Sequence, residues 1–289
     1  MAQIRTARHA GACYGVERAL RLVEDCSATH DAPVYTIGPL IHNPIVVDRL
    51  ASQGVSVIEH VEDAAPGSTV VIRSHGVVPQ VVERARELGL EVVDATCPHV
   101  KKAQDGAASL AGEGYQVVVV GEAGHPEVEG ILARAGKNAI VVGSASDAAC
   151  AALERRVGVV VQTTQSQKLL CAVVSELMPR VGELRVLNTI CAATVRRQEA
   201  ASDLASRANA MVVVGGKNSG NTRRLAEVCS TRCASTHHIE TPDELVPSWF
   251  EGAALIGVTA GASTPADQVA SVVEAIDALV GRPCGPEGA

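Results

Sequence analysis

Cys13 in GACYGVERAL, Cys97 in VVDATCPHV and Cys191 in LNTICAATVRRQ stand far apart in the chain, each beside a turn that adjoins a strand-like or helical pattern. Their spacing suggests one cysteine per structural third of the chain. Cysteines so widely separated cannot form a local zinc knuckle. Three similar units closing on one centre would bring their thiolates together, and three thiolates make an iron–sulfur ligand set that leaves one iron open. Taken singly, a cysteine in such a setting is more often a packing thiol. Cys26, Cys150, Cys171 and Cys284 lie in helical or tail contexts and read as bystanders. Cys229 and Cys233 have the i, i+4 spacing of one helix face, with His237 and His238 following, and read as structural packing.

A second group of polar residues follows apolar runs. Ser74-His75-Gly76 comes after VVIR, Gly124-His125-Pro126-Glu127 after VVVVGEA, and Thr163-Thr164 after VGVVVQ. Asn218-Ser219-Gly220-Asn221 comes after MVVVGGK, and Gly261-Ala262-Ser263 after ALIGVTA. His42, in PLIHNP, joins His75 and His125 as a histidine in a loop beside Gly, Asn or Pro. Together the three rings offer donors to a phosphate or diphosphate and a means of moving protons. His9, His30, His60, His99, His237 and His238 have no comparable setting.

Two readings fit Glu127: a carboxylate in a first helical turn behind Pro126, favoured by the helix dipole, or a proton donor with a raised pKa. GGKNSGNTRRLAE lacks the spacing and terminal GK[ST] of a Walker loop. Its Ser, Asn and opening amides still suit an anion, as do those of Gly-Ala-Ser-Thr-Pro at 261–265, and helix capping is the alternative for both.

These motifs need strands to carry them. Short valine-rich runs bounded by glycine alternate with amphipathic stretches from end to end: TVVIRSH then PQVVERARELG, YQVVVVGEAG then PEVEGILARAG, MVVVGG then NTRRLAEVCS. Runs of this kind read as buried parallel strands and the segments between them as crossover helices, which predicts an α/β fold. In such sheets ligands bind beyond the carboxyl ends of the strands, so the polar loops are expected to face one cavity. No Pro/Gly/Ser-rich linker interrupts the pattern before the tail GRPCGPEGA. Three similar α/β units are expected, 1–97 with the first cysteine, 98–190, and 191–289 with the tail, arranged around a central iron–sulfur site.

Composition excludes several classes of protein. Nine cysteines are an odd number and a poor disulfide framework. A net charge of -7 with no basic block argues against nucleic acid, and aromatics at 2% leave no platform for stacking bases. No apolar stretch is long enough to span a bilayer and MAQIRTARHAGACYG lacks the core of a signal peptide, so a cytoplasmic location without membrane association is expected.

Read in order, HN-x-x-VVDRL, SHGV, DATCP, GHPEVEG, QTTQS, IC-x-AT-x-x-RQ, KNS-x-N and GVTAGAS resemble the IspH or LytB family, the 4-hydroxy-3-methylbut-2-enyl diphosphate reductases, from about Cys13 to Pro265. The resemblance implies an iron–sulfur oxidoreductase of the non-mevalonate isoprenoid pathway. It would remove the allylic hydroxyl of its substrate as water to give isopentenyl and dimethylallyl diphosphate. It further implies a 4Fe–4S cluster on Cys13, Cys97 and Cys191, with an open apical iron for the hydroxyl. By the same resemblance His42, His75 and His125, with Ser219, Gly220, Asn221 and Ser263, bind the diphosphate. Thr163 holds the hydroxyl, Glu127 feeds protons, and ferredoxin or flavodoxin supplies electrons.

The chain departs from the family pattern in places. His9-Ala10-Gly11-Ala12 stand where Pro-Arg-Gly-Phe is common, Tyr14 where a small residue is usual, and His99 where an aliphatic residue is common. Gly220 replaces a second serine, so only its backbone amide is left to meet a diphosphate. These departures fit a divergent paralogue acting on a related allylic diphosphate. Other classes consistent with the residues are an iron–sulfur sensor that has lost turnover and a zinc or disulfide protein. Retention of Glu127 and Thr163 favours the enzyme.

Overall fold

The computed structural model describes residues 2–29 and 32–281, so His30 and the tail with Cys284 lie outside the described residues. Strands and helices alternate throughout. The chain opens with β1 (Gln3–Thr6), α1 (Tyr14–Thr29), β2 (Val34–Ile37), α2 (Pro44–Ser52), β3 (Val55–Ile58), β4 (Thr69–Ile72), α3 (Pro79–Glu87) and β5 (Glu91–Asp94). It continues through α4 (Pro98–Gly112), β6 (Gln116–Val120), α5 (Pro126–Ala135), β7 (Ile140–Val142), α6 (Ala145–Cys150), β8 (Arg156–Val161), α7 (Gln167–Leu177) and β9 (Glu183–Val186). The last part holds α8 (Ala192–Ala205), β10 (Ala210–Val214), α9 (Gly220–Ser230), β11 (Thr236–Ile239), β12 (Leu255–Ala260) and α10 (Ala266–Val280).

The strands form three four-stranded parallel sheets, ordered β3-β2-β4-β5, β7-β6-β8-β9 and β11-β10-β12-β1. The expected α/β class is present, and the same strand order occurs three times. In the third sheet the edge position held elsewhere by β5 and β9 is filled by β1, whose Gln3–Thr6 pair in register with Leu255–Val258. A division of the chain at 97 and 190 therefore keeps each sheet's strands together except for β1, which belongs with the C-terminal third.

The valine runs fold this way because alternate side chains of a strand face opposite sides, and both sides are covered by helices. Val117, Val119 and Val160 pack with Leu110 and Ile131 on one side of their sheet. Val118, Val120, Val159 and Val161 pack with Leu170 and Leu177 on the other. With few aromatic side chains, backbone can approach closely. A Cβ at Gly158 would lie 2.8 Å from both methyls of Leu110, so glycine there lets α4 settle directly on β8.

The chain divides into two compact units, one of residues 1–13 and 192–289, the other of residues 14–191. The first holds the sheet containing β1. The second holds the other two sheets. Among the described residues no helix is long and apolar enough to cross a membrane.

Candidate functional site

In every sheet the two central strands deliver the polar residues predicted to act, as expected at the carboxyl ends of parallel strands. β2 and β4 lead to His42 and His75, β6 and β8 to His125 and Thr163, and β10 and β12 to Ser219 and Ser263. The glycine that ends each first central strand donates its N–H to the neighbouring edge strand: Gly38 to Ile58 O at 2.8 Å, Gly121 to Val142 O at 3.0 Å and Gly215 to Ile239 O at 2.9 Å. His42, His125 and Ser219 then follow at the same offset, each at the threshold of a helix.

The three cysteines are equally regular. Each follows the edge strand beside the second central strand, and each donates its amide to the second residue past that central strand. Cys97 N–H meets Ser74 O at 2.9 Å, Cys191 meets Thr163 O at 3.0 Å and Cys13 meets Ala262 O at 3.1 Å. Each ends at a helix start: Tyr14, Pro98 and Ala192 open α1, α4 and α8.

His42, His75 and His125 come together. Ring centroids are 4.2 Å apart for His42 and His75, 5.4 Å for His42 and His125, and 5.6 Å for His75 and His125. The backbone around them is tied down: Ser74 Oγ donates to Leu40 O at 3.0 Å, and Arg73 Nε to Gly76 O at 3.3 Å. Gly76 supplies the φ of +74° that this turn requires. Burial, then His42, His125 and the Arg73 guanidinium, hold the His75 pKa well below the ordinary imidazole value. His75 is therefore a neutral ring near pH 7, and its Nδ1 has no hydrogen-bond partner among the described residues. His125 caps α5, its Nδ1 accepting from Glu127 N–H at 3.1 Å. A neutral ring whose Nδ1 accepts must carry its proton on Nε2, so His125 offers a donor on its far side.

Glu127 is 1% exposed, and Thr163 grips its carboxylate. Thr163 N–H donates to Oε1 at 2.6 Å and Thr163 Oγ1 to Oε2 at 3.0 Å. Burial pushes the Glu127 pKa up to about 7 against the lowering effect of these two bonds. The helix-dipole reading alone would leave the carboxylate in solvent, whereas this one is enclosed and poised to exchange a proton at neutral pH.

In the unit built on the third sheet, Ser219 does cap α9, its Oγ accepting from Thr222 N–H at 3.3 Å, which leaves its hydroxyl proton to donate elsewhere. Gly220 opens the helix, and Asn221, 8% exposed, has an Nδ2 without a hydrogen-bond partner among the described residues. The loop after β12 departs from expectation. Pro265 occupies the cap position itself, so neither Ser263 nor Thr264 caps α10, and Thr264 Oγ1 instead donates to Val214 O at 3.0 Å. Ser263 is buried in that turn.

The eight described cysteines carry thiols. Cys13 belongs to one compact unit, Cys97 and Cys191 to the other, and among the described residues no group of three His, Cys, Asp or Glu side chains is arranged to hold a metal ion. The chemistry of the donor set fits an iron–sulfur cluster all the same. Three partly exposed thiols stand at equivalent posts of three repeated sheets, each with its backbone anchored by the same hydrogen bond. The remaining cysteines differ. Cys229 is fully buried, and burial followed by neighbouring Cys233 pushes its pKa up to about 12, which keeps it protonated. Cys233 lies beyond the end of α9 rather than on its face, packed near Ala208 O.

Two arginines escaped the sequence reading. Arg18 on α1 donates to Thr96 O and Asp94 O, both at 3.3 Å, in the segment leading to Cys97. Arg197 on α8, 3% exposed, donates to Gly11 O at 2.7 Å in the turn leading to Cys13. Both lie within quoted motifs, but only the long-range carbonyl partners of both, and the burial of Arg197, distinguish them from ordinary surface arginines.

Comparison with known proteins agrees with the geometry. Curated relatives named 4-hydroxy-3-methylbut-2-enyl diphosphate reductase include one from Pelobacter propionicus, 51% identical over 90% of this chain and 92% of that protein. Another, from Aquifex aeolicus, is 46% identical over 96% and 97%. A solved structure of (E)-4-hydroxy-3-methyl-but-2-enyl diphosphate reductase, described as the terminal enzyme of the non-mevalonate pathway, is 45% identical with a TM-score of 0.72, covering 96% of this chain and all of that one. The Plasmodium falciparum E-1-hydroxy-2-methyl-but-2-enyl-4-diphosphate reductase is 26% identical with a TM-score of 0.92, covering 100% and 93%. The LytB protein family model matches residues 4–277, and the chain belongs to that family.

Proposed function

We propose that this chain reduces 4-hydroxy-3-methylbut-2-enyl diphosphate. The C–O bond to the allylic hydroxyl breaks with two electrons and two protons, releasing water and either isopentenyl or dimethylallyl diphosphate. The observation that carries the reading is a buried acid, Glu127, with a pKa near neutrality and a threonine hydroxyl on its carboxylate, in the same compact unit as three clustered histidines. A sensor needs no such acid.

His42, His75 and His125 hold the diphosphate through ring N–H donors, supported by Ser219, the Gly220 amide, Asn221 and Ser263. Thr163 Oγ1 orients the substrate hydroxyl, and Glu127 passes a proton to it as it leaves as water. Cys13, Cys97 and Cys191 would hold a 4Fe–4S cluster, which supplies electrons and a Lewis-acidic iron for the hydroxyl. Electrons arrive singly from a small carrier of the ferredoxin or flavodoxin kind. The thiolates such a cluster needs persist in the reducing cytoplasm, where we place the protein.

The test is an anaerobic assay of the iron-loaded protein with the diphosphate substrate and a chemical reductant. Formation of the two five-carbon diphosphates with loss of substrate is expected. A protein that binds iron and sulfide but leaves the substrate intact overturns the reading.

A further inference from the structure

Gln104 lies on α4, the helix that begins directly after Cys97, and is 1% exposed. Its amide nitrogen occupies the space where two glycines lack side chains: a Cβ at Gly76 and a Cβ at Gly130 would each stand 2.8 Å from Nε2. That nitrogen has no hydrogen-bond partner among the described residues. Gly76 follows His75 directly. Gly130 sits on α5, whose cap is His125 and whose first turn holds Glu127. Thr96 Cγ2 would also lie 3.2 Å from a Cβ at Gly76. A glutamine end normally swings away from an intruding methyl. Here a methyl at either glycine would meet the same buried amide nitrogen.

We infer that Gln104 is a positioning residue, a spacer that sets the separation between the loop bearing His75 and the helix bearing His125 and Glu127. The inference rests on the reading of those histidines as diphosphate ligands. Its work is steric: the amide fills the gap that the two glycines leave, and the histidine rings sit where that gap holds their backbones.

Gly130→Ala, Gln104→Ala and the double variant are compared as iron-loaded protein, reading KM, kcat, the inhibition constant of inorganic pyrophosphate, iron content and Tm. Alanine is favoured over glycine inside a helix, so any loss on Gly130→Ala reports the contact rather than the helix. Gly130→Ala is expected to weaken pyrophosphate inhibition and raise KM about tenfold, with iron content unchanged, because a misplacement of an ångström is enough for losses of that order. Adding Gln104→Ala should bring both back to within about threefold of the parent, as coupled neighbours do. Should Gly130→Ala not fold, Gln104→Asn carries the same test: it shortens the spacer and should raise the pyrophosphate constant with little change in Tm. Unaltered pyrophosphate inhibition in the folded variants, or a double variant no better than Gly130→Ala, overturns the inference while the parent's activity stands. A parent protein on which pyrophosphate has no effect and the substrate is inert sinks the histidine reading, and the spacer with it.

Discussion

Thr163 gives both its N–H and its hydroxyl to the two oxygens of Glu127, at 2.6 and 3.0 Å, inside a region closed to solvent. The two bonds favour the ionised carboxylate and burial favours the neutral acid, and burial prevails. The group therefore changes charge near neutral pH.

Replacing Glu127 by Gln should lower turnover by about 10²-fold or more while iron content stays at the parent value, since a positioned general acid is worth that much. The pH dependence has a definite sign. A carboxyl whose pKa rises from 4.5 unfolded to about 7 folded binds more protons in the native state between those values, so its contribution to stability is greatest below 4.5 and declines as pH rises toward 7. Denaturant titrations of parent and Glu127→Gln across that window should show the decline only in the parent.

His75 is held neutral by burial and by the cations or rings around it, His42, His125 and Arg73. A bound diphosphate raises its proton affinity, so binding should take up a proton and tighten as pH falls toward the pKa of the free site. Calorimetry of pyrophosphate binding in two buffers of different ionisation enthalpy measures that uptake. His75→Phe should abolish it and weaken binding by about 1.5–3 kcal/mol, the value of a hydrogen bond to a charged partner.

Cys97→Ser should cost the protein most of its iron and sulfide after anaerobic reconstitution. Cys229→Ser should load fully, because that thiol is buried and held protonated. Equal loading of both variants contradicts the assignment of Cys97.

Arg197→Ala removes the charge-assisted bond to Gly11 O and should destabilise the protein by about 2 kcal/mol. The Gly11 turn leads into Cys13, so iron retention on repeated anaerobic gel filtration should fall as well. Arg197→Lys, which keeps charge but not the planar fork, should recover only part of either loss.

Much of this was legible in local patterns. YQVVVVGEAG and MVVVGG declare buried parallel strands because valine runs ending in glycine have few other uses, and the loops that follow them hold the polar residues of the site. The threefold recurrence was within reach too: IGPLIHN, VGEAGHP and VGGKNSG place glycine and then His42, His125 or Ser219 at one offset. The partner of β1 was not within reach. QIRT is short and mostly polar, with three of its side chains exposed, so nothing in it names β12 as its neighbour. The position of Pro265 and the roles of Arg18, Arg197 and Gln104 depend on contacts between distant segments, which no local window contains.

The seating of β1 against β12 also bears on how the chain folds. β1 pairs with a strand far along the chain, so its ladder closes a very long loop, and contacts of that kind form slowly. Cys13, whose amide bonds to Ala262 just past β12, is held in its native turn only then. A cluster held in part by Cys13 would therefore be completed only after this long-range contact has formed.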